Sequence, residues 1–110
     1  MTGRQATARR TADLVRREVV IPPGGSTGWH YHEVPLIAVV VAGTLTRILH
    51  DGTVEVHRSG TDFIEPAGRD RVHLGCNRGS DPVVLHVTCA LPEGVPFSLP
   101  AGAPSAAAAC

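Results

Sequence analysis

Chain-reversal signals recur every six to ten residues through most of the sequence, and they constrain the fold more than any other feature. Pro22-Pro23-Gly24-Gly25, Gly43, Asp51-Gly52, Ser59-Gly60, Pro66-Ala67-Gly68 and the segment from Arg78 to Asp81 punctuate the chain. The runs between them are short and rich in β-branched and aliphatic residues, which suits strands. Leu14–Ile21, Trp29–Glu33, Leu36–Ala42, Thr44–His50, Thr53–His57, Thr61–Glu65, Arg71–Asn77 and Pro82–Ala90 read as strands, and no stretch reads as a helix. Asp51-Gly52 predicts a hairpin, because the central residues of such a turn must tolerate positive φ. On the strand that follows, Val54 and Val56 are expected inside and Glu55 and His57 outside. The last two strands are expected to pair with each other across Arg78–Asp81. Leu36–Ala42, almost wholly apolar, is expected to be covered on both faces or to make a dimer contact. The pattern predicts an all-β antiparallel sandwich or closed barrel.

The two ends read differently from the middle. Residues 1–12 read as a disordered N-terminal lead, 13–100 as the barrel domain, and 101–110 as a flexible Ala/Pro-rich tail, with Val95, Phe97 and Leu99 lying against the body. Ten basic residues, all Arg, balance ten acidic ones, so no charge excess points to nucleic acid or to an anionic membrane. No apolar run reaches the roughly 18 residues of a membrane-spanning helix. The first residues lack the apolar segment of a secretory signal. Cys76, Cys89 and Cys110 contain no C-x-x-C pair and form neither a disulfide framework nor a zinc ribbon. Cys76 and Cys89 read as small buried hydrophobes, and a reducing cytoplasm fits the set.

Chemistry concentrates where the glycine-rich stretch Gly24–Gly28 delivers Trp29-His30-Tyr31-His32. On an extended strand His30 and His32 share a face, and two imidazoles on one face can grip a metal ion. A metal site normally wants at least three protein ligands. His73, in the strand after Pro66-Ala67-Gly68, supplies a third. Three imidazoles converging in a barrel without a partner would each be poorly satisfied, at about 1–3 kcal/mol apiece, and a divalent ion removes that cost. The alternative is a polar pocket in which water and backbone satisfy the rings of a metal-free structural barrel.

Other candidates surround this trio. Glu65 shares a strand face with Phe63; partly desolvated, its pKa would rise and it could shuttle a proton, whereas on a rim it would pair with an arginine. Arg47, between Leu45 and Leu49, either enters the pocket to hold a substrate carboxylate or snorkels at the surface. His86, among Val84 and Thr88, either lines the cavity and touches substrate or is a satisfied core residue. His50 and His57 are expected to face solvent. Trp29 and Tyr31 are expected opposite the ligands, in packing or a dimer contact, and Asn77 to fix the turn after the ligand strand.

These residues together resemble the cupin superfamily. Its first motif, G-x5-H-x-H-x3,4-E-x6-G, falls on Gly24, His30, His32 and Gly43. Its second, G-x5-P-x-G-x2-H-x3-N, falls on Gly60, Pro66, Gly68, His73 and Asn77. Two departures stand out. The family's metal-binding glutamate falls on Leu36 or Ile37, neither of which can ligate, and Glu33 alternates away from the histidine face. Four residues, Arg69 to Val72, separate Gly68 from His73 where the family has two. The resemblance implies a small single-domain cupin-type jelly-roll barrel, a homodimer, and one divalent ion on His30, His32 and His73. Fe2+ is favoured, with Zn2+, Ni2+, Mn2+ and Cu2+ as alternatives. It also implies a small-molecule substrate: a dioxygenase-type oxidoreductase is favoured, with an isomerase or cyclase, or a non-catalytic sensor module, as alternatives.

Overall fold

Alternation along the two longest buried strands sorts their side chains into an inside and an outside. A computed structural model describes residues 12–105 and 110. The expected lead over 1–12 therefore lies, apart from Ala12, outside the described residues, as do 106–109 of the expected tail. Nine strands run through the described residues: β1 (Asp13–Ile21), β2 (His30–Tyr31), β3 (Leu36–Ala42), β4 (Thr44–Leu49), β5 (Val54–Arg58), β6 (Asp62–Glu65), β7 (His73–Cys76), β8 (Val83–Leu91) and β9 (Leu99–Pro100). They form two antiparallel sheets, ordered β9-β2-β7-β4-β5 and β1-β8-β3-β6. The fold is an antiparallel jelly-roll barrel, and the described residues contain no helix.

Leu36, Ala38 and Val40 of β3 and Val83, Leu85, Val87 and Cys89 of β8 point inward, where Ile21 and Leu45 join them in one core. Among the described residues only one face of β3 is covered: Ile37, Val39 and Val41 are exposed, as is Ile64 opposite Ile37 on β6. The apolar run of β3 thus reflects a second apolar surface rather than burial on both sides. The same parity puts His86 outside, since the larger apolar residues at odd positions of β8 take the core. Its Nε2 meets Glu18 Oε2 at 3.1 Å on the neighbouring strand.

On β5 the expected faces are reversed. Val54 and Val56 are exposed, while Glu55 and His57 turn inward. Glu55 is the cross-strand partner of Arg47, and a buried guanidinium needs a carboxylate more than the core needs another valine. The β4–β5 hairpin closes through His50-Asp51-Gly52. Only Gly52 takes positive φ (88°), while Asp51 Oδ1 accepts the Thr53 N–H at 3.0 Å.

The expected pairing of the last two long strands does not occur. β7 pairs with β2 and β4, and β8 with β1 and β3, so the intervening turn crosses between sheets. Asn77 fixes that crossing. Its Nδ2 donates to the Ile21 carbonyl at 2.9 Å and the Asp81 carbonyl at 2.7 Å, and its Oδ1 accepts the Gly79 N–H at 2.9 Å. Gly43, which carries the chain from β3 to β4, sits at φ 78°, and a Cβ there would collide with the Pro82 carbonyl. Cys76 is joined to Cys110 in a disulfide rather than packing as a free thiol. Cys89 is free and buried, and burial pushes its thiol up. No helix among the described residues is long and apolar enough to cross a membrane.

Candidate metal centre

Three strands and one loop bring four side chains to one point inside the barrel. His30 on β2 and His73 on β7 are directly paired across the ladder, and His32 follows just beyond β2. Glu65, the last residue of β6, reaches in from the opposite sheet. One ligand atom from each of His30, His32, Glu65 and His73 lies within 4.8 Å of all the others. The ring centroids of His30 and His73 are 4.4 Å apart, and those of His30 and His32 5.0 Å.

Backbone carbonyls decide which nitrogen of each ring faces the centre. Nδ1 lies 2.8 Å from the Gly28 carbonyl in His30, 2.8 Å from the Phe97 carbonyl in His32, and 2.8 Å from the Arg71 carbonyl in His73. A carbonyl oxygen only accepts, so each Nδ1 carries a proton and each ring turns its Nε2 inward. Metal-binding histidines are oriented in the same way, by a partner on the nitrogen that does not ligate. Nε2 of His32 and of His73 is buried without a hydrogen-bond partner among the described residues. Both nonetheless stand close to the Glu65 carboxylate, at 3.2 and 3.0 Å. With both Nε2 unprotonated, their lone pairs and the carboxylate would repel at that range unless positive charge sat among them. A divalent cation on three imidazoles and one carboxylate supplies it, so the residues present fit a metal.

Electrostatics point the same way. Burial pushes the Glu65 carboxyl up, but the His32 and His73 rings and the charges of His73 and Arg47 pull it further down. The net effect holds it well below the usual carboxylate range. The raised pKa expected from sequence, and the proton-shuttle role drawn from it, are therefore not what this environment produces. His30 is shifted down, chiefly by burial, which keeps its ring neutral and able to ligate.

Glu65 also answers the question left by the missing family glutamate. The family position is Leu36, and Leu36 and Glu65 are directly opposite each other in the β3–β6 ladder, both pointing inward. Of the two positions on which the family glutamate falls, Leu36 faces inward and Ile37 is exposed, so Glu65 supplies a carboxylate one strand away on the inner face.

Arg47 enters the interior rather than snorkelling, and is 5% exposed. Its Nη1 donates to Glu55 Oε1 at 2.7 Å, its Nη2 lies 3.4 Å from Glu65 Oε2, and its guanidinium covers the Phe63 ring at 4.2 Å. His57 is drawn into the same cluster, with Nε2 2.9 Å from Glu55 Oε1 and its ring against Phe63. It is not solvent-facing, whereas His50 is exposed. His86 does not join the site.

An internal cavity of about 50 Å3 lies against these residues, walled by Leu36, Leu45, Leu85 and Val87. A wider outer pocket of about 320 Å3, lined by Thr27, Trp29, Phe97 and Pro100, shares His30 and His32 with it. Trp29 thus borders the approach to the histidines. Sequence reasoning placed Phe97 against the body but missed that its carbonyl orients His32. It also missed Glu55, whose role depends on cross-strand register that no local motif encodes.

This geometry defines a barrel protein with a largely buried group of nitrogen and oxygen donors that could hold a metal ion, open to a small cavity. The Cupin domain family matches residues 17–89, and the chain belongs to that family. No curated relative matches the sequence. Among solved structures, a conserved protein with a double-stranded β-helix domain from Klebsiella pneumoniae subsp. pneumoniae MGH 78578 is similar at 24% identity and TM-score 0.68. That match covers 86% of this chain and 80% of the other. The polyketide cyclase RemF from Streptomyces resistomycificus matches at 24% identity and TM-score 0.68, covering 89% and 65%. An oxalate oxidase in complex with the substrate analogue glycolate matches at 24% identity and TM-score 0.64, covering 76% and 45%. The chain therefore spans less than half of the oxalate oxidase chain.

Proposed function

We propose that the protein is a metal-dependent enzyme acting on a small organic molecule, with one divalent ion held by His30, His32, His73 and Glu65. The observation that carries this reading is the convergence of three Nε2 lone pairs and a carboxylate within 4.8 Å, each ring locked by a carbonyl. Fe2+ and a dioxygenase-type oxidation are the favoured assignment. A bound ion would supply Lewis-acid polarisation of a substrate oxygen, or redox chemistry if it is iron. The chain's own part is to orient the rings through Gly28, Phe97 and Arg71, to keep Glu65 ionised beside Arg47, and to exclude bulk water with Leu36, Leu45, Leu85 and Val87. The outer pocket between Trp29 and Phe97 is the way in. A metal-assisted cyclase or isomerase is the second reading, favoured by the likeness to a polyketide cyclase over most of this chain.

We further propose a homodimer joined through the exposed face of β3 and β6, where Ile37, Val39, Val41 and Ile64 lie together.

The test is elemental analysis of purified protein followed by oxygen uptake by the ferrous form with carbonyl and catechol compounds. We expect about one divalent ion per chain and uptake that tracks substrate loss. Substrate conversion without oxygen uptake would select the cyclase or isomerase reading. Binding without any conversion would make the protein a sensor, and protein that takes up no metal would sink the proposal.

A further inference from the structure

We propose that the Cys76–Cys110 disulfide is a reversible redox site, opened by small dithiols, that fastens the C-terminal segment as a strap beside the histidines. The strap begins at Phe97, whose carbonyl orients His32, and continues through Leu99 and Pro100, which pair with Tyr31 and His30. Ala101 then donates its N–H to the Trp29 carbonyl at 3.0 Å. Pairing as short as the two residues of β9 is marginal unless something keeps the segment in place. Cys110 does so. Bonded to Cys76 on β7, it confines the far end of the segment beside β2 and raises the local concentration of strap there. Alternation turns Arg47, His73 and Gly75 inward and Ile48, Leu74 and Cys76 outward. Yet Ile48, Leu74 and Cys76 are 0%, 5% and 1% exposed, so the outer side of the sheet is covered there, and Cys110 sits on it.

Access comes from the other half of the bond. Cys110 is exposed and borders an open hollow of about 500 Å3 lined by Gly24, Arg78 and Gly79. A thiolate of the dithiol attacks the Cys110 sulfur, the S–S bond breaks, and Cys76 leaves with the electron pair and takes up a proton. The dithiol's second thiolate then attacks its own partner sulfur in the mixed disulfide. Cys110 leaves as a thiolate, favoured by the Arg78 cation lining the same hollow, and is protonated in turn. Two electrons and two protons have passed to the protein, and the dithiol ends as a cyclic disulfide. Cys89 takes no part, because it is free and buried in the core, where burial pushes its thiol up. This goes beyond the proposed function and does not rest on it, since neither the strap nor the bond involves the ion.

The experiment compares the full chain, folded, in oxidised and in reduced dithiothreitol. Alkylation after unfolding counts the thiols: one, Cys89, with the bond closed and three with it open. Amide exchange at Ala101 reads the strap directly. Trp29, the single tryptophan, borders the outer pocket with Phe97 and Pro100, so its emission reports when the strap leaves. On opening, Ala101 exchange is expected to quicken by roughly ten-fold or more while Leu85 in the core stays slow. Trp29 emission is expected to shift to the red, and both changes to reverse in oxidised dithiothreitol. Cys110→Ser should show the fast exchange and red emission with or without the dithiol. Three thiols in oxidised dithiothreitol, or a bond that the folded chain never yields to the reduced form, would overturn the proposal. So would complete opening that leaves Ala101 exchange and Trp29 emission unchanged. Metal content enters none of these readouts, so failure here leaves the proposed function standing, and a chain that takes up no metal leaves this inference standing.

Discussion

His30, His32 and His73 each have one nitrogen committed to a backbone carbonyl and the other aimed at the same interior point, and the proposed metal site rests on that division of labour. Changing His30, His32 or His73 to Ala should abolish stoichiometric metal in elemental analysis. Glu65→Gln keeps the shape but removes the one anionic member of the set, and should weaken metal binding by roughly ten- to a hundred-fold in a competition titration. The pH dependence of the metal-free protein follows from two lowered pKa values. His30 is lowered in the folded state, so as pH falls below about 6.5 the unfolded chain takes up the proton first and stability drops. Glu65 is also lowered, so its contribution is present above about 4.3 and is lost as pH falls further. Urea midpoints measured from pH 8 to pH 4 should decline in that order, and a midpoint flat across pH 7 to 5 would contradict the His30 assignment. The histidine trio was legible in the sequence because its spacing alone puts two rings on one face and marks a third. Glu65 as a ligand was not, because nothing local to residues 62–65 says which strand lies beside them.

At the level of elements, the β3–β6 ladder explains how the site keeps a carboxylate without the family's glutamate. Since Leu36 and Glu65 face each other on the inner side, the double exchange Leu36→Glu with Glu65→Leu should bind metal again, whereas Glu65→Leu alone should not. Competition titration of the three variants decides this, and a double variant as inert as the single one would show that the two positions are not equivalent. Strand β9 and the residues before it form a strap over the site: Leu99 and Pro100 pair with Tyr31 and His30, and the Phe97 carbonyl holds His32. Gly43→Ala should cost at least about 2 kcal/mol in chemical unfolding, from left-handed backbone strain and the clash with Pro82. Strand positions were largely readable because turn residues bracket them; Leu36–Ala42 was placed to the residue. Pairing was less so: the partners of β7 depend on Asn77 reaching the Ile21 carbonyl far back in the chain, and the inner face of β5 on Arg47 turning inward and taking Glu55 with it.

For the whole molecule, two sheets with one dry core leave an apolar outer face that the chain itself does not cover. Ile37, Val39, Val41, Ile64, Leu14 and Val20 are all exposed, Ile64 at 66%. If a second copy covers this face, Ile37→Asp or Ile64→Asp should convert a dimer to a monomer in sedimentation equilibrium with metal content unchanged. A wild-type monomer at micromolar concentration would refute the proposed contact. Metal should also stabilise the barrel as a unit, by roughly 2.7 kcal/mol at 100 times its dissociation constant, because the ligands come from both sheets. The central claim is that those sheets meet at one ion. An anomalous difference map from crystals of metal-loaded protein tests it most directly. The account predicts one strong peak about 2.0–2.2 Å from Nε2 of His30, His32 and His73 and from a Glu65 oxygen. A peak elsewhere, or one that leaves His73 or Glu65 out of its coordination sphere, would contradict it.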